Sequence, residues 1–122
     1  MESVYDLYQR GCELLQHGDH QAAIVPLSKA RDLEPGKASI RETLGRALFH
    51  ARRYESAAAE FHAVAANTPT NDYALFCLGR SMQLLGRHSE ACQPLALACS
   101  LRPERADYRV YRDRARRDAH GA

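Results

Sequence analysis

The sequence predicts an all-α protein whose helices recur in pairs every 34 residues. The tripeptide LGR occurs at residues 44–46 and again at 78–80, and Gly11 lies 34 residues before Gly45. Apolar side chains between these marks are spaced three and four residues apart, which is typical of amphipathic helices. We therefore divide the single domain, residues 1–122, into units at 4–37, 38–71 and 72–105.

The first helix of each unit is predicted from unit positions 4, 7, 8 and 11, which share one helix face. In the third unit these positions hold Leu75, Leu78, Gly79 and Met82. Glycine inside a helix costs about 1 kcal/mol relative to alanine. Its recurrence at position 8 of all three units therefore predicts that a neighbouring helix approaches closely there.

The second helix of each unit is predicted from positions 20, 24 and 27, which hold Ala57, Phe61 and Val64 in the second unit. Position 20 is alanine in all three units, and we expect this small surface to lie opposite the glycine. Pro26 and Pro94 both occupy position 23, where each removes one backbone hydrogen bond. We expect mild bends at these prolines rather than breaks.

Proline and turn residues mark the ends of the predicted helices. Each unit closes at a proline, Pro35, Pro69 or Pro103, and helices usually stop before the residue that precedes proline. The segments HGDH, ARRY and LGRH separate the two helices of the three units. We predict six helices at about 4–17, 20–33, 38–51, 54–66, 72–85 and 88–100, and a seventh at about 105–118 that caps the stack.

The recurring pattern of bulky-x-x-Leu-Gly-x-x-bulky, then Ala-x-x-x-bulky-x-x-Ala and a closing Pro, resembles the tetratricopeptide repeat over residues 4–105. The chain departs from the family where its usual Trp is Leu7, Arg41 or Leu75, and where Arg10 replaces its Leu at position 7. We expect the Arg41 stem to cover apolar surface with its guanidinium group in water. The resemblance implies a right-handed α-α superhelix of antiparallel helices with a concave groove. It also implies a non-enzymatic adaptor that binds a peptide or helical segment of a partner protein.

In the resembled family the groove is lined by the face of each first helix at positions 2, 5, 9, 12 and 13. Tyrosine and arginine are enriched at binding hot spots, and a solvated helix face does not normally carry so many aromatic side chains. We predict that the partner contacts Tyr5, Tyr8, Cys12, Glu42, Arg46, Phe49, His50, Tyr73, Phe76, Arg80 and Gln83. The alternative is that some of these aromatic side chains pack on one another.

Two arginines, Arg46 and Arg80, occupy position 9 of adjacent units and are expected to bind acidic groups of the partner. The alternative is a local ion pair between Arg46 and Glu42, four residues earlier. Arg114 lies a further 34 residues along the chain. We do not assign it to the groove, because the apolar residues of the seventh helix appear one residue out of register with the units.

Some members of the resembled family grip a carboxy-terminal peptide with Lys, Asn and Arg side chains. The matching positions here are Tyr8, Cys12, Thr43, Tyr73 and Cys77, none of which is a residue of that kind. The carboxylate clamp is therefore not expected in this chain.

The motifs of enzymes and cofactor sites are missing from the sequence. It has no Gly-rich phosphate loop, nucleophile elbow or paired-carboxylate motif. His17 and His20 flank a turn, but no further ligand type completes a metal set near them. We therefore expect no enzyme, no metal and no cofactor.

Two other functions stay open. The seventh helix interleaves Arg with Tyr, which suits nucleic acid, although Asp113 is placed to pair with Arg109 and Arg117 and so favours a solvated cap. Alternatively, Tyr5 and Tyr8 at one end of the stack, or the tyrosines of the seventh helix at the other, would form a homodimer, which would make the protein a homo-oligomerising scaffold.

The composition is that of a globular domain, with 45% hydrophobic and 26% charged residues and a net charge of +2. No apolar run approaches the roughly 20 residues that cross a bilayer, and the first residues do not resemble a secretory signal. The four cysteines form no C-x-x-C motif and are expected as free thiols. We expect a cytoplasmic, bacterial protein.

Overall fold

The computed structural model describes residues 2–121, which form seven α-helices and, within that range, no strand. The helices are α1 Val4–Gln16, α2 His20–Leu33, α3 Ala38–His50, α4 Tyr54–Asn67, α5 Asp72–Leu84, α6 His88–Leu101 and α7 Ala106–Gly121. Each helix packs mainly against the helices before and after it. The predicted all-α repeat fold is confirmed, and α2 and α6 continue through their internal prolines. In the described part of the chain, no helix is long and apolar enough to cross a membrane.

The recurring glycine lies where the two helices of a pair meet. A Cβ atom added to the glycine would lie 2.4 Å from Leu27 Cγ at Gly11, 2.8 Å from Phe61 Cζ at Gly45 and 2.5 Å from Leu95 Cγ at Gly79. The predicted close approach is therefore confirmed. The atoms nearest to the glycine come from the bulky residue at position 24, and not from the alanine at position 20 as predicted. Only a long side chain reaches the space that the missing Cβ leaves.

Packing between successive pairs uses unit positions 3, 7 and 10 of the first helices. All three positions are buried in α3 and α5: Ile40, Leu44, Ala47, Ala74, Leu78 and Ser81. In α1 the same positions hold Asp6, Arg10 and Glu13, which are exposed, and Arg10 pairs with Glu2. The first helix thus presents a charged face where the later ones present a packing face.

The last helix, α7, packs on the α5–α6 pair as α3 and α5 pack on the pairs before them. It buries Tyr108 and Ala115, which occupy positions 3 and 10 when the count of 34 is continued. The Tyr108 hydroxyl donates to Asp72 Oδ2 at 2.7 Å, and its ring stacks on Phe76 with 4.5 Å between centroids. The prediction that α7 is out of register is wrong. It compared α7 with positions 4, 8 and 11, which face the second helix of a pair, whereas α7 packs through positions 3 and 10, which face the preceding pair. The structure shows no helix after α7 up to residue 121.

Part of the charge of α7 is neutralised within the chain. Asp113 Oδ1 accepts a hydrogen bond from Arg112 Nε at 3.0 Å rather than pairing with Arg109 and Arg117 as predicted. Arg109 donates instead to the carbonyl oxygen of Pro103.

The central pair contains an ion cluster around Glu60, which is 5% exposed. Its carboxylate accepts from Arg41 Nη1 at 2.9 Å and from Arg31 Nη1 at 2.6 Å. Arg41 Nε also donates to the carbonyl oxygen of Pro35 at 2.6 Å. The expectation that the Arg41 guanidinium lies in water is therefore wrong, because α4 supplies a buried carboxylate beside it.

The turn inside each pair passes through one residue with positive φ, at position 15 of the unit. The φ angles are 81° at Gly18, 64° at Arg52 and 79° at Gly86. In the central turn the Arg53 amide donates to the Leu48 carbonyl at 2.8 Å. This is the hydrogen bond of a Schellman ending, which requires a left-handed residue.

Candidate functional site

Two adjoining pockets lie on the surface formed by α1, α3, α5 and α7. The larger, which we call the α5 pocket, has a volume of about 430 Å³ and is lined by Arg46, Phe49, His50, Phe61, Tyr73, Phe76, Cys77, Arg80, Asp107 and Tyr111. The smaller, the α1 pocket, has a volume of about 270 Å³ and is lined by Tyr8, Cys12, Leu15, Gln16, His20, Thr43, Arg46 and His50. Because Arg46 and His50 line both pockets, the two form one groove.

Aromatic side chains from four helices form the walls of the α5 pocket. Tyr73 meets Phe61 edge to face, with 6.3 Å between centroids, and Phe76 meets Tyr111 with 5.6 Å. Some of the predicted groove aromatics therefore pack on one another while they also line the pocket. The mutual packing holds the rings in place, so the cavity is largely preformed.

Arg80 projects into the α5 pocket and is held there by two contacts. Its Cζ atom lies 4.0 Å from the ring centroid of Tyr111, and its Nη1 donates to Gln83 Oε1 at 2.9 Å. Burial, reinforced by the positive charge of Arg114, lowers the pKa of Arg80, although a guanidinium stays charged near neutral pH. The pocket therefore contains a half-buried cation.

Arg46 is exposed at the boundary between the two pockets. Among the described residues no carboxylate lies within 4.0 Å of its guanidinium group, so the alternative of an ion pair with Glu42 is not found. Glu42 Oε1 instead accepts from Asn71 Nδ2 at 2.7 Å, and Asn71 caps α5 through the Ala74 amide at 3.0 Å. Glu42 thus fixes the start of α5 and leaves Arg46 without an anion.

Two histidines stack where the first pair meets the second. The rings of His20 and His50 lie 4.7 Å apart between centroids, with an angle of 26° between their planes. Burial, followed by the positive charges of His20 and Arg46, lowers the pKa of His50 below its ordinary value of 6.5. His50 is therefore uncharged near neutral pH, while the neighbouring Arg46 is a cation.

The α1 pocket is more polar and is braced by a hydrogen bond between helices. The Tyr8 hydroxyl and Thr43 Oγ1 are 3.3 Å apart, and Thr43 Oγ1 donates to the Ser39 carbonyl at 2.8 Å. Tyr8 is therefore held against α3, with part of its surface open to the groove.

The thiol in the α5 pocket is not an activated nucleophile. Burial raises the pKa of Cys77 to about 11, although a hydrogen bond from Tyr73 opposes the shift. The Cys77 thiol is therefore protonated near neutral pH. Within residues 2–121 no group of three or more His, Cys, Asp or Glu side chains is placed to hold a metal ion.

The structure places eight of the predicted site residues in the groove: Tyr8, Cys12, Arg46, Phe49, His50, Tyr73, Phe76 and Arg80. Tyr5 is 68% exposed but lines neither pocket, and its hydroxyl accepts from Gln9 Nε2 at 2.7 Å. Gln83 is only 7% exposed and donates from Nε2 to the Tyr111 carbonyl at 2.9 Å. Three predicted residues therefore lie outside the pocket walls: Tyr5, Glu42 and Gln83. Glu42 and Gln83 instead form hydrogen bonds with Asn71 and Tyr111 of neighbouring elements.

The contribution of α7 to the groove was not predicted from the sequence. Tyr111 and Asp107 both line the α5 pocket, and Cζ of Arg114 lies 5.0 Å from the Tyr111 ring centroid. Arg114 therefore borders the groove, contrary to the prediction that excluded it. Tyr111 is at position 6, which also supplies Thr43 and Cys77 to the groove, so continuing the count of 34 would have identified it.

Comparisons with known proteins agree with this architecture. A family model of the tetratricopeptide repeat matches residues 14–77. Superkiller complex protein 3 of Mus musculus is 28% identical over 96 residues, which cover 79% of this chain and 6% of that protein. The chain thus spans a small part of the length of that relative.

Three solved structures share the fold at low sequence identity. The first TPR of Spaghetti (RPAP3), bound to the HSP90 peptide SRMEEVD, has a TM-score of 0.87 and 17% identity, with 98% of this chain and 94% of that chain covered. MamA has a TM-score of 0.90 and 22% identity, with 98% and 69% covered. The Sgt2 TPR domain from Aspergillus fumigatus has a TM-score of 0.84 and 13% identity, with 98% and 81% covered.

Proposed function

The chain belongs to the tetratricopeptide repeat family, and from this premise we propose that it is a protein-interaction module whose groove binds a segment of a partner protein. The segment lies across the α1 and α5 pockets, in contact with Tyr8, Tyr73 and Phe76. Arg46 and Arg80 bind its acidic groups. No catalytic step is part of this role.

One observation carries the proposal: Arg46 and Arg80 face an aromatic groove without an anionic partner among the described residues. Arg80 contacts two neutral groups, the Tyr111 ring and the Gln83 amide. Charge-assisted hydrogen bonds to arginine are about twice as strong as neutral ones, so an acidic ligand gains more here than a neutral one. The peptide bound to the first TPR of Spaghetti is a precedent for a peptide ligand on this fold.

The double variant Arg46→Glu/Arg80→Glu tests the proposal. Each substitution reverses a charge in the groove, so we expect partner proteins recovered from lysate of the source cells to be lost. Helical circular dichroism and the melting temperature should be kept. The matched control is Arg116→Glu, because Arg116 is exposed on α7 and lines neither pocket. Equal recovery by the double variant and the control would contradict the proposal.

A further inference from the structure

The two halves of the groove differ in size and in the chemistry of their walls. The α5 pocket, at about 430 Å³, has aromatic walls, whereas the α1 pocket, at about 270 Å³, includes the polar groups of Tyr8, Gln16 and Thr43. Ligand-binding pockets typically have volumes of about 300–1,000 Å³ and mostly apolar walls with a few polar groups. The α5 pocket therefore suits one bulky apolar group, and the α1 pocket suits a more polar stretch of chain.

The charge at the α5 pocket is positive. Arg80 lines it, Arg46 lies where it joins the α1 pocket, and Arg114 borders it through the Tyr111 ring. Asp107 also lines the pocket, but Arg105 binds its two carboxylate oxygens at 3.0 and 2.8 Å. The acidic group on the pocket wall is therefore already paired, whereas none of the three arginines has a carboxylate partner within residues 2–121.

Arg80 in particular has unused hydrogen-bonding capacity. A guanidinium group has five N–H donors, and in the part of the chain that the structure describes Arg80 uses one of them, to Gln83 Oε1 at 2.9 Å. The Tyr111 ring covers it at 4.0 Å and so partly removes it from water. A half-buried cation with free donors is stabilised by an anion that reaches it from the open side of the pocket.

The positions that grip a carboxy-terminal peptide in some members of the family hold Tyr8, Cys12, Thr43, Tyr73 and Cys77 in this chain. We therefore propose that the groove recognises an internal segment of a partner in which an aromatic or large aliphatic residue stands beside an acidic residue. The apolar side chain fills the α5 pocket, and the neighbouring carboxylate bonds to Arg80 and Arg46. The more polar continuation of the segment lies in the α1 pocket. This inference rests on the proposed function and adds the chemistry of the ligand.

Gln83 is a positioning residue for this recognition. Its amide accepts from Arg80 at 2.9 Å and donates to the Tyr111 carbonyl at 2.9 Å, so it links the cation to the helix that forms the pocket wall. It touches the groove only through these two neighbours. Gln83→Met keeps the volume and removes both bonds, and should weaken binding of acidic peptides more than that of their neutral analogues.

A library of random 12-residue peptides displayed with free amino ends on phage tests the inference. Such display samples internal acidic residues and not free carboxyl ends. We expect enrichment of peptides with Phe, Tyr, Trp, Leu or Ile within two residues of Asp or Glu. The same selection on Arg116→Gln should enrich the same peptides, whereas the selection on Arg46→Gln/Arg80→Gln should not.

Synthetic versions of an enriched peptide then separate the two contacts by fluorescence anisotropy. Replacing the acidic residue by Asn or Gln should weaken binding to the wild type by about tenfold, but by less than about threefold in Arg46→Gln/Arg80→Gln. Replacing the apolar residue by Ala should weaken binding by about tenfold in both proteins. Amidation of the carboxyl end should change nothing.

The outcomes distinguish this inference from the proposed function. Enriched peptides that lack the apolar–acidic pair but lose binding in Arg46→Glu/Arg80→Glu would overturn the inference and leave the groove as the binding site. Loss of binding on amidation would also overturn it, because the ligand would then be a chain end. Failure to enrich any peptide that depends on Arg46 and Arg80 would count against both.

Discussion

The central helix pair and the two outer pairs fill the same two unit positions with opposite chemistry. At positions 4 and 23 the outer pairs have buried apolar residues, Leu7 with Pro26 and Leu75 with Pro94, whereas the central pair has Arg41 with Glu60. Glu60 is as buried as its apolar counterparts, and its charge is compensated by Arg41 and Arg31. The difference teaches that the two positions must be interpreted together, because either charged residue alone would be buried without its partner.

The largest expected effect comes from Arg41→Leu, which copies the outer pairs at one position only. Glu60 would then keep Arg31 at 2.6 Å but lose the second cation, and removal of one partner from a buried ion pair is strongly destabilising. We expect the free energy of unfolding to fall by about 3 kcal/mol in urea titrations at neutral pH. Arg116→Leu, at an exposed position, should change it by less than about 0.5 kcal/mol. Similar values for the two variants would show that the ion pair between Arg41 and Glu60 does not contribute to stability.

The double variant Arg41→Leu/Glu60→Met sharpens the comparison, because it replaces the ion pair by apolar side chains. Buried ion pairs replaced in this way are often neutral or stabilising, so we expect about 2 kcal/mol of the loss to be recovered. A double-mutant cycle with Glu60→Met measures the coupling. Simple addition of the two single losses would show that Arg41 and Glu60 act independently.

The glycine contacts are expected to produce the next largest effects. A Cβ at Gly79 would meet Leu95 Cγ, the branch point of the side chain, whereas at Gly45 it would meet Phe61 Cζ, the far end of a ring. Gly79→Ala should therefore cost about 1–2 kcal/mol and Gly45→Ala less, and Gly45→Leu should cost about 1–3 kcal/mol through overpacking. Melting temperatures of these variants would measure the losses, with Gly36→Ala as the control because a Cβ there meets no atom within 4 Å. An unchanged melting temperature for Gly45→Leu would contradict the prediction of overpacking.

A smaller effect is expected at the turns. Arg52 has φ of 64°, where the outer pairs have Gly18 and Gly86. The left-handed conformation costs a residue with a Cβ about 1–2 kcal/mol, and part of this is offset because glycine has more freedom when unfolded. Arg52→Gly should therefore stabilise the protein by about 0.5 kcal/mol, and the reciprocal Gly86→Arg should destabilise it by about 1 kcal/mol. Chemical unfolding of both variants checks the sign, and destabilisation by Arg52→Gly would be the contrary result.

The smallest expected effect is a pH dependence of the free energy of unfolding that arises from His50, at the junction of the first and central pairs. It is small because His50 is largely exposed. The pKa of His50 is lowered in the folded protein, so the unfolded chain binds the proton more readily. Stability should therefore fall as the pH drops from the ordinary pKa of 6.5 towards the lower folded value, and this contribution should be absent above that window. His50→Gln should flatten the curve of unfolding free energy against pH, and the exposed His62→Gln should not. Parallel curves for His50→Gln and the wild type would contradict this assignment.

The groove was predicted from the sequence only in part: the residues on its face were identified, but not all of their contacts. Eight of the predicted residues line its pockets, because a helical repeat places a given unit position on the same face each time. The spacing of four residues on α3 left an ion pair between Glu42 and Arg46 as an alternative, yet Glu42 bonds to Asn71 at the start of α5. Spacing along one helix identifies the face of a side chain but not the partner that a neighbouring helix brings to it.

The sequence by itself determined the number of helices, their starts and the glycine that lets each pair close, because helical periodicity and turn residues act over a few neighbouring residues. Only the tertiary structure decided that Arg41 meets a buried Glu60 and that the Tyr111 ring of α7 covers the Arg80 guanidinium group. These contacts join residues from different helices, and their energies depend on burial and on which charge lies opposite. Neither quantity is contained in the spacing of residues along the chain.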